Sequence, residues 1–429
     1  MRAEMRSLAR ARAQFAEPGA RLIVDLHVWT MEAGLHGAAP GDLFDGYCRR
    51  LVEAGVKLTR GYVSTPTLHP QWDGYGCLWT RRLNAVQEQQ FSRATTPRSA
   101  WLESPFLPLI DRARAGEAAP AMRRRLALGP EQRDFPALVE FHEAGATDYF
   151  AIVYTFGLKG DPAHGGGVVF SFAVDAPDGF DDAEIMLMEA TLPGLALALK
   201  AHAGHNIASN LLSAYLGEDA GRRVHNGAVI RGATDSLNAV VWYADLRGFT
   251  AASDRWPGPA IIDMLDDAFE ALAAPLRPRG GQVLKFIGDA MLAIFAVDGE
   301  AEAAVCRRAL DAAEEALDAL REDAARRAAA GLPAVEADIA LHVGEVLYGN
   351  VGAADRLDFT VIGPAVNEAA RIEKQCDQLR RRILASERFA HAADLCGGRL
   401  KPLGSHALRG VAEPQTLFGV AREDAAEGL

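Results

Sequence analysis

Residues 238–244, NAVVWYA, form an apolar, β-branched and aromatic run that leads directly into Asp245. Such a run predicts a buried strand, and the acid that follows it predicts where that strand meets solvent. The flanking sequence fits a layered fold. Over residues 259–276 apolar side chains recur at Ile261, Leu265, Phe269 and Leu272, one face of a helix that the segment RPRGG then stops. QVLKFI and AMLAIF follow as two short strands separated by Gly288-Asp289, a hairpin pattern. Residues 300–330 are alanine-rich, with Val305, Ala309, Ala313, Leu317 and Leu320 in one stripe; Gly331 and Pro333 end this long helix. Ile339, Leu341 and Val343 alternate as a strand into Gly344. EVLYGNVGAADRLDFTVIG reads as a second hairpin, leading to a helix around AVNEAARIEKQ. This order of elements predicts an α+β sandwich of about 190 residues.

The first half of the chain is less regular. Residues 42–54 predict a helix, and 149–156 and 167–174 predict two strands joined by the loop GLKGDPAHGG. Residues 181–215 are compatible with helix almost throughout, with Pro193-Gly194 a point for a kink. A mixed α/β domain that ends in a long helix is the expectation.

Composition narrows the classes. A chain of 429 residues, 49% hydrophobic and 24% charged, is globular and long enough for two or three domains. Its 45 basic and 57 acidic residues give a net charge of −12, which excludes a protein that coats nucleic acid. The five cysteines (Cys48, Cys77, Cys306, Cys376 and Cys396) contain no Cys-x-x-Cys pair. That excludes a zinc ribbon and argues for reduced thiols. No run approaches the roughly 18 apolar residues of a membrane helix. The Arg-rich start, MRAEMRSLARARAQF, lacks the apolar core of a secretory signal. A cytoplasmic protein with no transmembrane segment is expected.

Two carboxylates carry the chemistry. Asp245 ends a strand and Asp289 sits in a hairpin turn, and two such oxygens with a neighbouring backbone carbonyl suit a hard divalent cation. Each is also an ordinary turn residue when taken singly. The turn LRGFT after Asp245 exposes consecutive amides suited to phosphate. Counting by two places Lys285 on the face of Val283 and Ile287, where a lysine must snorkel or find a partner.

Four ordered blocks, YADLRGFT, LKFIGDAMLAIF, HVGEVLYGNVG and DFTVIGPAVNEAARIE, together resemble the catalytic domain of class III nucleotidyl cyclases, closest to bacterial adenylate cyclases. The resemblance implies that Asp245, Asp289 and the Leu246 carbonyl hold two Mg²⁺ or Mn²⁺ ions around a triphosphate. Lys285 and Thr360 match the pair that reads adenine, whereas guanylate cyclases usually carry Glu and Cys there, so ATP is the implied substrate. Asn367 matches the residue that orients the ribose, and Arg371 the one that stabilises the transition state. The pattern departs at Pro364, at Glu368 and at Glu345, where some relatives have a phosphate-binding arginine; Arg409 is the candidate to compensate. Within the family the metal pair comes from one domain and the remaining groups from its partner, so a homodimer is implied. A cyclase of GTP or a pyrimidine nucleotide, and a silent nucleotide-binding module, are the alternatives.

The expected organisation is a tail over 1–20, a regulatory domain over 21–180, a helical linker over 181–232, the catalytic domain over 233–422 and a tail over 423–429. GATDYFAIVYTFG, GGGVVFSFAVD and the helix after them resemble the end of a GAF-like sensor domain, implying an unidentified small-molecule or protein regulator. His69, Trp72, Tyr75, Cys77 and Trp79 are candidate pocket residues, with core or rim positions the alternative.

Overall fold

The computed structural model describes residues 18–93, 102–156, 166–411 and 413–421. The Arg-rich start, all of GLKGDPAHGG but its last glycine, and the C-terminal tail lie outside the described residues. The chain divides into two compact units between Leu211 and Leu212.

The first unit is built on a six-stranded sheet in the order β3-β2-β1-β6-β5-β4. Its strands are β1 (Leu58–Pro66), β2 (Trp72–Thr80), β3 (Ala85–Ser92), β4 (Ala121–Arg124), β5 (Asp148–Thr155) and β6 (Gly167–Val174). All five pairings are antiparallel. β5 and β6 lie inside the sheet and are covered on both sides. Phe170, Phe172, Phe150 and Ile152 face one core, while Val169, Ala173, Ala151 and Val153 face another. That two-sided burial explains why both strands read as unbroken apolar runs. The first core is closed by α1 (Pro18–Leu35), α2 (Pro40–Glu53) and the long α5 (Asp182–Leu216); the second by α3 (Phe106–Arg114) and α4 (Pro136–Glu143). Asp148, fully buried, is held by Arg123 at 2.7 Å and by the Phe180 amide at 3.1 Å.

α5 runs as one helix through Pro193. Gly194 is needed there because α1 crosses close by: a Cβ at this position would lie 2.9 Å from His27 Nδ1. At the same crossing Gly34 of α1 faces Ala198.

The second unit centres on β7 (Thr234–Arg247), which pairs antiparallel with β10 (Glu336–Gly352) over fourteen residues, from Thr234 opposite Gly349 to Arg247 opposite Glu336. The eight-stranded sheet has the order β13-β14-β12-β10-β7-β9-β8, with β11 (Leu357–Ile362) on the far end of β10. Here β8 is Gln282–Ile287, β9 Ala290–Ala296, β12 Ile383–Ser386, β13 Leu400–His406 and β14 Gln415–Val420. β7 alternates: Val240, Trp242 and Ala244 face a core with α8 (Gly258–Ala273) and α9 (Glu302–Ala329). Ala239 and Val241 face a second core with Leu284, Val346, Phe359, Val361, Ala365 and Ala369. Ala220 of α6 (Glu218–His225) joins this second core, so part of the expected linker packs as part of the second unit. α7 (Phe249–Arg255) and α10 (Pro364–Glu373) complete the region of interest.

Two expectations need correction. β7 does not end at Asp245; it continues to Arg247, because its pairing with β10 runs on beyond the apolar run. Likewise β10 does not end at Gly344 but continues through it to Gly352. Among the described residues no helix is long and apolar enough to cross a membrane.

The two glycines of α5 allow a paired test. Gly204→Ala, with open space at its Cβ, should stabilise the protein by about 0.5–1 kcal/mol through helix propensity. Gly194→Ala should lose that gain, or destabilise, because His27 must move. Thermal unfolding of the two variants side by side reads the difference.

Candidate active site

Asp245 and Asp289 come together because β7 and β9 pair. Asp245 stands opposite Ala290, and the Leu246 amide donates to the Asp289 carbonyl at 3.2 Å. The turn between β8 and β9 requires Gly288, whose φ is +65°. Asp245 Oδ1 is buried without a hydrogen-bond partner. Burial first, and the Asp289 charge second, raise the Asp245 pKa above the usual aspartate value. A desolvated carboxylate beside a second carboxylate, with one oxygen unsatisfied, fits a hard cation. The Leu246 carbonyl offers an oxygen of the same class. Among the described residues no three His, Cys, Asp or Glu side chains converge as a ready-made metal cluster.

Sequence reasoning missed the acids around this pair. Asp338 lies opposite Asp245 on β10 and is buried, held by Arg247 at 3.0 Å and Arg382 at 3.3 Å. Glu373, at the end of α10, is 93% buried (7% exposed) with Oε2 unpartnered. Burial, then Asp245 and Asp338, raise its pKa to about 7, with Asp289 adding to them and Lys374 opposing. The signal was present: Ala365, Ala369 and Ile372 mark the buried face of α10, and Glu373 adjoins it.

Lys285 is placed differently from the period-two count. A bulge between Val283 and Lys285 shifts the register, so Val283 opposes Ala293 while Lys285 opposes Leu292. Ala293 and Leu292 belong to opposite cores, so Lys285 shares a face with Ile287 but not with Val283. Its ammonium donates to Asp358 Oδ2 at 2.5 Å. Two residues along β11, Thr360 is buried and its Oγ1 has no partner.

Asn367 is exposed on α10, and Arg371, one turn on, donates to the Gly410 carbonyl at 3.4 Å. Arg409 is exposed next to that carbonyl. The departures have local accounts. Pro364 takes the first position of α10, where its fixed φ suits and no N–H is needed. Glu368 lies 3.5 Å from the buried His342 and accepts from Gln415 at 3.2 Å. Glu345 accepts from Ser236. No hydrogen bond or ion pair among the described residues joins the Asp245–Asp289 pair to Lys285 and Thr360, or to Asn367 and Arg371.

In the first unit, a cleft of about 420 Å³ is lined by residues of β1, β2, β3 and α5, among them Tyr75, Cys77, Glu88 and His202. Of the five expected pocket residues only Tyr75 and Cys77 line it. Trp79 is core, 1% exposed, and His69 packs its ring against Trp72 instead.

Residues 233–418 match the family model of the adenylate and guanylate cyclase catalytic domain, so the second unit carries a class III cyclase catalytic domain. The chain is 34% identical over 157 residues to an adenylate cyclase of Anabaena cylindrica, covering 36% of this chain and 31% of that protein. It is 30% identical over 172 residues to adenylate cyclase 1 of Rhizobium meliloti, covering 39% and 25%. The chain thus spans a third or less of the length of these curated relatives. Among solved structures, the adenylyl cyclase CyaB from P. aeruginosa aligns at 23% identity and TM-score 0.40, over 44% of this chain and 96% of that one. The guanylyl cyclase Cya2 aligns at 28% identity and TM-score 0.39, over 44% and 93%.

Glu373 generates a prediction on stability without added metal. Its folded pKa, about 7, exceeds the ordinary 4.5, so the native state holds this proton more tightly. Its contribution is present below pH 4.5 and is lost as pH rises to about 7. Glu373→Gln should therefore be more stable than the parent at pH 8, by on the order of 2–3 kcal/mol, with the advantage vanishing near pH 4. Urea denaturation in EDTA across that range measures it.

Proposed function

We propose that the chain is an adenylate cyclase that converts ATP to 3′,5′-cyclic AMP and pyrophosphate at sites shared between two copies. The observation that carries this reading is the unsatisfied Asp245 carboxylate beside Asp289, within a domain that matches the cyclase family model.

Cyclisation is an in-line attack of the ribose 3′-oxygen on the α-phosphorus. It needs positioning and neutralisation of phosphate charge more than covalent help from the protein. Two Mg²⁺ or Mn²⁺ ions, held by Asp245, Asp289 and the Leu246 carbonyl, would neutralise the triphosphate and acidify the 3′-hydroxyl. Arg371 balances charge on the α-phosphate as pyrophosphate departs, while Asn367 orients the ribose. Lys285 donates to the adenine ring nitrogen, and the unpartnered Thr360 hydroxyl accepts from the exocyclic amine. Lys285 favours ATP over GTP. The names of the two curated relatives, both adenylate cyclases, point the same way.

The homodimer reading rests on copy number and on surface. One chain carries each group once, without a bond joining them. Phe286, Ile287, Leu347 and Ile362 are each more than 40% exposed on β8, β10 and β11, apolar surface suited to a second copy. ATP as substrate places the catalytic unit in the cytoplasm.

We assign the regulator to the cleft of the first unit, the GAF-like sensor of this reading. Among the described residues Glu88 is the one acidic side chain on its lining, no Lys or Arg lines it, and burial lowers the His202 pKa. That charge disfavours a phosphate-bearing ligand. Ala203→Trp, which fills the cleft, should change the basal rate of cyclic AMP formation; unaltered kinetics count against the assignment.

Shared sites are tested by complementation. Asp245→Ala and Arg371→Ala should each lose more than about 10²-fold in rate. Mixed in equal amounts after subunit exchange, they should recover about one quarter of parent activity, since half the dimers carry one intact site. No recovery, with exchange shown by mass spectrometry, removes the shared-site reading.

A further inference from the structure

Glu368, one of the departures from the family pattern, stands on α10 three residues before Arg371. Residues three apart on a helix are neighbours, and an acid and an arginine at that spacing can pair. Here no ion pair or hydrogen bond joins them. The carboxylate is taken up elsewhere: its Oε2 lies 3.5 Å from His342 Nε2 and accepts from the Gln415 amide at 3.2 Å. Three elements, β10, α10 and β14, thus meet at one carboxylate oxygen.

The fold keeps His342 in its place. The residue stands opposite Val241 in the β7–β10 ladder and is 5% exposed. Two residues on, Gly344 lets α10 lie close against the strand. A Cβ there would come 2.7 Å from Ala365 Cβ and 3.3 Å from His342 Nε2. The ring is walled in beneath α10, and among the described residues its Nδ1 has no hydrogen-bond partner. Nε2 is the nitrogen that faces the carboxylate, so in the neutral ring it is the one that carries the proton.

We infer that His342, together with Gln415, is a positioning residue that holds the Glu368 carboxylate off Arg371, leaving the guanidinium to balance charge on the α-phosphate. The inference rests on the adenylate cyclase reading and deepens it.

Arg371 serves the reaction only through charge that it can offer to phosphate. A Glu368 carboxylate without its two donors could take the guanidinium bidentately. It would also set a negative charge where phosphate charge gathers. The Glu368 side chain is 23% exposed, so water alone does not satisfy it and it needs donors within the fold. His342 and Gln415 supply them. Losing this hold weakens an interaction made chiefly in the transition state, so kcat falls and KM, set largely by the rest of the nucleotide, moves little.

The experiment compares the full-length parent with His342→Leu, Gln415→Ala, Glu368→Gln and the two double variants that carry Glu368→Gln, using ATP and Mn²⁺. His342→Leu should lower kcat about tenfold with KM within about twofold, and Gln415→Ala should act in the same direction by about threefold. Glu368→Gln keeps the shape and removes the charge. Alone it should stay within about twofold of the parent, and in either double it should restore kcat to that level. A packing role for the imidazole would leave the double as slow as the single. His342→Leu with parental kcat, a double no faster than its single, or a rise in KM at unchanged kcat each overturns the inference. If thermal unfolding shows that His342→Leu does not fold, Gln415→Ala, whose side chain is half-buried, decides by the same comparison. If the parent makes no cyclic product, or Arg371→Ala is as fast as the parent, the underlying reading fails and the inference falls with it.

Discussion

The fourteen-residue antiparallel pairing of β7 with β10 is the constraint on which the second unit depends. It fixes which residues of β7 face each core, and it brings Asp245 level with Asp338. With β9 on the other side of β7, it also sets the hairpin turn that carries Asp289 against the Leu246 amide. A one-residue slip in this ladder would turn Val240, Trp242 and Ala244 away from their helices and Asp245 with them. Buried apolar contacts on both faces resist that slip, so the position of the acid follows from the packing of the core.

Charge is then concentrated where packing has removed water. Asp245, Asp289 and Glu373 interact, and the pKa values of Asp245 and Glu373 are raised, mainly by burial. Burial raises the Asp338 pKa too, but Arg247 and Arg382 pair with it and oppose that rise. The contrast lies in the ion pairs: Asp338 is paired with two arginines, whereas among the described residues Asp245 and Glu373 have no ion pair and only the Lys374 charge opposes their raised pKa values. Arg371 does not serve as that cation in one copy, since its guanidinium is turned to the Gly410 carbonyl.

Most of the second unit was legible because its elements carry strong local patterns. The NAVVWYA run, the Gly-Asp hairpin and the alanine stripe of α9 each predict one element, and each element formed. What escaped was non-local. Nothing in the run of apolar residues says that β7 pairs on to Arg247, or that β10 continues past Gly344. The bulge at Leu284 defeated period-two counting for Lys285, because an inserted residue leaves no mark in composition. Asp358 lies within the DFTVIGPAVNEAARIE segment, but its partner Lys285 is 73 residues away. Glu373 reads as a surface residue until the strands beside it are known to carry acids. In the first unit β5 and β6 were readable as strands, whereas β1, β2 and β3 are half-covered and polar, and their pattern did not announce a sheet.

The most direct measurement offers the full-length protein equal ATP, GTP, CTP and UTP with Mg²⁺ or Mn²⁺ and resolves the products by chromatography. The account predicts 3′,5′-cyclic AMP as the dominant product, with pyrophosphate in equal amount. A dominant cyclic GMP or cyclic pyrimidine product would contradict the assignment of Lys285 and Thr360. Nucleotide bound but never cyclised, with either metal, would contradict the enzyme itself.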